Sequence, residues 1–153
     1  MKIRTDHVTV FVIRPAGGGF EFLQLRRQAH DYLGGTWQTV RGSAEAGETS
    51  LQTALRELHE ETSLTPTEMY SLGIVETFYI AATDTLFHSP VFVVLVSATA
   101  EVKLDQEHDA HRWIEAADIE RLFMWPSEAP LLHEIRSRIL QDSPSKPHLR
   151  VKC

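Results

Sequence analysis

Three carboxylates, Glu57, Glu60 and Glu61, follow Arg56 in a stretch introduced by Gly42, Gly47 and Glu48, and it is here that residue types and spacing could do chemistry. On a helix at about 100° per residue, Leu51, Ala54, Leu55 and Leu58 form one apolar stripe, and Glu57 and Glu61 fall together at its edge. Like charges four residues apart cost a helix on the order of a few tenths of a kcal/mol. Beside a core that repulsion is screened less than in open water. A divalent cation between the two carboxylates turns the cost into binding energy, so the pair reads as a metal site. Arg56 and Glu60, also four apart, point away from the stripe and suit an ordinary solvated ion pair as well. Gly42 and Gly47 permit backbone conformations that residues with a Cβ resist. A glycine loop feeding a helix N-terminus gathers backbone N–H groups for phosphate oxygens. Acidic helix, cation and loop together point to a diphosphate held through a metal ion.

The elements that must position these groups read as mixed α/β. His7–Arg14 and Phe20–Arg27 are strands joined by a Pro-Ala-Gly-Gly-Gly turn. A loop over Gln28–Thr36 leads to the short segment Trp37–Val40, and the acidic helix spans Ser50 to Thr62. Ser71–Ala82 and Thr85–Ala98 are apolar β-rich runs, with Asp84 near the turn between them. His111–Glu115 is a last short strand. Glu128–Gln141 is an amphipathic helix with Leu131, Leu132, Ile135 and Ile139 on one face. Residues 1–141 make the domain, and residues 142–153, with Pro144 and Pro147, are expected to be a poorly ordered tail.

At 153 residues the chain suffices for one real core. Its 42% hydrophobic and 24% charged content is that of an ordinary globular protein. A net charge of −6 without a basic run argues against a nucleic-acid partner, and an acidic protein that handles polyphosphate needs a cation to offset repulsion. Val8–Ile13, the apolar run nearest the N-terminus, is too short for a signal-peptide core or a membrane span. The single cysteine, Cys153, allows neither a disulfide framework nor a cysteine-based metal site. The expected setting is cytoplasmic, as a monomer or homodimer.

The acidic stretch resembles the Nudix box: Gly, five residues, Glu, seven residues, then Arg-Glu-apolar-x-Glu-Glu-x-Gly-apolar. Gly42, Glu48, Arg56, Glu57, Leu58, Glu60, Glu61 and Leu64 fall at the required spacing, and Ser63 stands where the family has Gly. That Gly ends the helix in a left-handed turn; Ser63 makes the exit less favourable and touches no metal ligand. The resemblance implies the Nudix fold, a mixed β-sheet sandwiched between α-helices. It also implies an enzyme that lets water attack a phosphorus of a nucleoside diphosphate derivative. Carried onto this chain, Glu57 and Glu61 would be Mg²⁺ ligands, with Mn²⁺ as a substitute. Glu60 would be a further ligand or the group that accepts the proton from water. Arg56 would orient the carboxylates and Glu48 would support Arg56.

A second layer extends from about Val8 to about Ile139 and is similar to the bacterial dihydroneopterin triphosphate pyrophosphatases, also described as dATP pyrophosphohydrolases. Trp37-Gln-Thr-Val-Arg41-Gly42 and Glu107-His108 carry it. It implies Glu107 as a metal ligand and His108 near phosphate. Of the two strand-end arginines it favours Arg26 over Arg27 for the substrate, with Arg41 and Gly42 alongside. Trp37, Phe78, Tyr79 and Trp125 suit either stacking on a flat base or core packing. The expected reaction is Mg²⁺-dependent cleavage of a nucleoside or pterin triphosphate to monophosphate and pyrophosphate. The alternatives are hydrolysis of dinucleoside polyphosphates, ADP-ribose or sugar nucleotides, or a nucleotide-sensing module without catalysis, which usually lacks a box carboxylate.

Overall fold

In the computed structural model, which describes residues 1–153, period-two alternation of apolar side chains divides the interior into two cores, one on each face of a nine-stranded mixed sheet. The strands are β1 (Lys2–Arg4), β2 (His7–Ala16), β3 (Gly19–Arg27), β4 (Trp37–Gln38), β5 (Val40–Ser43), β6 (Glu68–Ile80), β7 (Thr85–Leu95), β8 (His108–Glu115) and β9 (Arg150–Val151). The helices are α1 (Ser50–Thr62), α2 (Ile119–Leu122), α3 (Glu128–Arg138) and α4 (Lys146–Leu149). Hydrogen bonding runs β4-β3-β2-β7-β6-β9, with β1 added to β7, β5 to β2 and β8 to β3. β1 and β2 lie parallel to β7, and the other pairings are antiparallel.

On β2, Val8, Val10 and Val12 join the core that holds Ala54 and Leu58 of α1. Phe11 and Ile13, pointing the other way, join Ile119 of α2 and Leu131, Leu132 and Ile135 of α3. The mixed sheet between helices is therefore the architecture the sequence implied. No helix is long and apolar enough to cross a membrane.

Helix α1 has the expected bounds because its ends are specified locally. Thr49 caps it, accepting a hydrogen bond from Gln52 N while the Gln52 side chain accepts one from Thr49 N. The helix ends at Ser63, with φ 59° and its N–H bonded to His59 O. That left-handed conformation costs an L-residue roughly 1 kcal/mol that glycine avoids. Ser63→Gly is accordingly expected to raise the melting temperature by about 2–4 °C. A thermal scan showing no rise would mean the serine is stabilised by something other than its backbone.

The largest departure from expectation is the C-terminus. Residues 142–153 are not a loose tail: Leu149 packs against the α3-side core, and Arg150 and Val151 pair with Tyr70 and Met69 of β6. The prolines and polar residues hid two apolar anchors, whose partner is the free edge that β6 offers only once the sheet exists. β1 was missed for a similar reason, being a three-residue strand defined by its pairing with Thr85–Phe87. The remaining shifts are at boundaries. β6 starts earlier, at Glu68, and its register breaks between Ser71 and Val75, where Gly73 takes φ 74°.

Candidate active site

Gly42 sits in β5, opposite Val8, and not in a loop. A Cβ built there would overlap the Glu57 carboxylate. A side chain at this position would displace the Glu57 carboxylate, and no special backbone angle is involved; the left-handed loop residue is Gly47, with φ 83°. The loop and α1 are fastened by Arg56. Its guanidinium donates to Glu48 (2.7 and 3.0 Å), to Ser43 O (2.9 Å), to Glu57 (3.0 Å) and to Glu60 (3.2 Å). Glu48 also accepts from Thr53 Oγ1 and from the Glu45 N–H. The Arg56 hydrogen bond above all holds the Glu48 carboxyl down to about 2.

Glu57 and Glu61 differ more than their shared edge suggested. Glu57 is partly covered, and burial pushes its carboxyl up against the opposing pull of Arg56. Glu61 is only 2% exposed and its Oε2 has no hydrogen-bond partner. Burial, then the charges of Glu57, Asp105 and Glu107, push its carboxyl well above the ordinary range. Donor atoms of Glu61, Asp105, Glu107 and His108 lie within 4.8 Å of one another. A buried, unpartnered carboxylate oxygen among further carboxylates is costly by itself and fits a hard divalent cation with oxygen ligands. The fold thus gathers Glu61 and Glu107 as expected, adds Asp105 and His108, and leaves Glu57 beside them. Glu60 points to solvent, its side chain 53% exposed and tied to Arg56.

A cavity of about 980 Å³ opens over this cluster. Arg41, Gly42, Glu57, Glu61 and Glu107 line it; Glu48, Arg56, Glu60, Arg26 and His108 do not. Arg26 departs from its expected place at the substrate: it is bonded to Asp109 at 2.7 Å, and Arg27 faces the cavity instead. Successive strand side chains point to opposite faces, so the two neighbours cannot both face the cavity, and the register break beside them places Asp109, the partner of Arg26, as the extra residue of β8. Arg27 Nε donates to Tyr32 O at 2.7 Å, bracing the segment before β4. Among the aromatic residues, Trp37 is packed under the Arg112 guanidinium at 4.0 Å and does not line the cavity. Phe78, Tyr79 and Trp125 do, and so does Tyr32. Phe78 stacks on Phe87, with ring centroids 4.9 Å apart.

Arg41 is clamped from below by Glu76, a carboxylate that sequence reasoning passed over. Its Nη1 and Nη2 donate to the two Glu76 oxygens at 2.6 and 2.9 Å, and Thr9 and Ser127 donate to the same carboxylate. These partners outweigh burial and keep the Glu76 carboxyl below its ordinary value. A lone Glu inside the run Ile74-Val75-Glu76-Thr77-Phe78 was the available signal. Beside it lies Glu128, fully buried, with Oε1 accepting from the Trp125 N–H and Oε2 unpartnered. Burial raises its carboxyl from the ordinary 4.5 to about 7. Its contribution to stability is complete below pH 4.5 and is lost as pH rises through 7, a change of roughly 3 kcal/mol. Glu128→Gln keeps the acceptor for Trp125 and does not titrate. Urea unfolding at pH 5 and pH 8 is expected to show the parent losing stability relative to this variant; parallel profiles would contradict the assignment.

A family model described as NUDIX domain matches residues 3–135 of the chain. Over 118 residues, 75% of its length, the chain is 36% identical to an octanoyltransferase from Myxococcus xanthus, of which it spans only 32%. It is also 36% identical over 99 residues to the asymmetrical bis(5'-nucleosyl)-tetraphosphatase of Mus musculus, covering 61% of this chain and 63% of that one. Among solved structures, an Ap4A hydrolase from C. elegans superposes with a TM-score of 0.74 at 22% identity, over 88% of this chain and 96% of that one, which shows a shared fold.

Proposed function

Because the chain belongs to the NUDIX family, we propose that it is a divalent-cation-dependent hydrolase of phosphoanhydride bonds whose preferred substrate is a dinucleoside polyphosphate. The observation that carries the hydrolase reading is the unpartnered, buried Glu61 oxygen grouped with Asp105, Glu107 and His108, a group in which Glu61 and Glu107 line the cavity. Glu57, Glu61 and Glu107 are the residues that would hold Mg²⁺, with Mn²⁺ as a substitute. Such an ion neutralises charge on the phosphates and acidifies bound water. Arg56 fixes the Glu57 carboxylate, Glu48 fixes Arg56, and Glu60 reaches the centre only through Arg56 or water. Arg41 and Arg27 face the phosphate chain, with Gly42 leaving the room that Glu57 needs.

The substrate class is supported by the similarity to the tetraphosphatase and by four aromatic side chains in the cavity lining, Tyr32, Phe78, Tyr79 and Trp125. Two bases joined by a polyphosphate need two apolar ends with charge between them. A nucleoside or pterin triphosphate, cut to monophosphate and pyrophosphate, is the second reading, favoured by the pattern of Trp37–Gly42 and Glu107-His108. Hydrolysis in ¹⁸O-labelled water with Mg²⁺, across dinucleoside polyphosphates, triphosphates, dihydroneopterin triphosphate and ADP-ribose, separates them. The expected result is fastest turnover of a dinucleoside tetraphosphate into unequal halves. Faster release of pyrophosphate from a triphosphate, with label in the monophosphate, selects the second reading. Absence of metal-dependent cleavage in the whole set overturns the hydrolase reading.

A further inference from the structure

A chain of hydrogen bonds runs from Asp105 through His108 to Gln38 at the edge of the carboxylate cluster, and none of the roles above uses it. The His108 side chain is completely buried, with Nδ1 2.8 Å from Asp105 Oδ1 and Nε2 3.1 Å from Gln38 Nε2. An ionised carboxylate only accepts hydrogen bonds, so Nδ1 carries the ring hydrogen. An amide NH₂ only donates, so Nε2 is bare. The two partners select a single tautomer, and that tautomer fixes the amide in turn. Gln38 points its NH₂ at the ring and leaves Oε1 without a protein partner, on a residue that lines the cavity. Glu61 and Glu107, which group with the His108 ring, line the same cavity as Gln38.

A carbonyl turned outward there repels a phosphate oxygen, since both are acceptors, and attracts a donor. The donor that hydrolysis brings to this place is water. We propose that Gln38 Oε1 orients the attacking water, and that Asp105 and His108 are positioning residues which hold the amide in the accepting orientation. The inference rests on the hydrolase reading. In the step itself the water oxygen bonds to phosphorus, and the bridging P–O bond breaks with its electron pair leaving on the departing phosphate. The water loses its proton to a carboxylate or to solvent; Gln38 accepts a hydrogen bond and exchanges no proton.

The relay can be reversed by substitution. Gln38→Glu sets a lone pair against the bare Nε2. Asp105→Asn offers Nδ1 either a carbonyl or an NH₂, so the ring hydrogen is no longer fixed on Nδ1 and the Gln38 NH₂ is free to turn into the cavity. Each change alone is expected to lower kcat roughly 10-fold or more with little change in KM, because the water loses its orientation. With both changes the relay runs in the opposite sense: Nε2 donates to the new carboxylate, whose second oxygen faces the cavity as an acceptor. The double variant should therefore turn over several-fold faster than either single one. Independently of turnover, ¹⁵N NMR of the metal-free parent should show His108 with hydrogen on Nδ1 and a bare Nε2. Hydrogen on Nε2, or losses that multiply without rescue, would overturn the relay. A parent inactive on every polyphosphate refutes the hydrolase reading and this role with it. An active parent whose Gln38→Leu variant, which has no acceptor, keeps its kcat refutes this role alone.

Discussion

Glu57→Gln and Glu61→Gln should each lower kcat by roughly 10²-fold or more without loss of the fold, the largest effects expected in this protein. Either change removes one negative oxygen where charge on the phosphates must be offset, and glutamine preserves shape. The two variants should differ before any metal is added. Glu61 is 2% exposed and its carboxyl lies well above the ordinary 4.5, so the metal-free parent keeps its full stability only below that value and loses it as pH rises. Glu61→Gln does not titrate, and at pH 8 it should melt above the metal-free parent, with the gap closing towards pH 5. Glu57 is half relieved by Arg56 and should show less of this. Mg²⁺ is expected to raise the melting temperature of the parent and to do so much less for Glu61→Gln. Near-parental turnover in both variants would remove the cation from these two residues.

Glu107→Ala is the second large effect, a loss of roughly 10–100-fold in rate together with weaker Mg²⁺ affinity. Glu107 lies just before β8, on an exposed residue whose backbone carbonyl accepts from the Gln28 N–H. Because the side chain is exposed, its removal leaves no cavity, and the fold should be indifferent to it. An Mg²⁺ titration of Glu107→Ala that overlays the parent would leave Glu57 and Glu61 alone as the carboxylates for the cation.

What was legible in advance was whatever is specified over short distances. The spacing Gly42, Glu48, Arg56, Glu57, Glu60 and Glu61 could be read because α1 is periodic and capped by its own neighbours, Thr49 and Gln52. The bracing role of Arg56 came from the resemblance to the Nudix box, since its spacing to Glu60 alone suits a solvated ion pair as well. Glu76 was not legible as the clamp on Arg41, since its partners lie at Thr9, Arg41 and Ser127 and meet only across β2, β5, β6 and the start of α3. The exchange of Arg26 for Arg27 turned on the bond from Arg26 to Asp109, 83 residues away, which no local pattern records.

By itself the sequence determined the acidic helix, the strand runs on either side of it and the charge that a cation has to neutralise, because periodicity, capping and composition act within a few residues. Only the tertiary structure decided that Glu61 is buried with an unpartnered oxygen while Glu60 stays in solvent, that the Glu57 carboxylate lies in the space a Cβ at Gly42 would take, and that Asp105 and His108 join the cluster. It also decided that residues 150–151 close the edge of β6. Each of these depends on which groups lose water together, and desolvation is a property of surfaces brought into contact from distant parts of the chain.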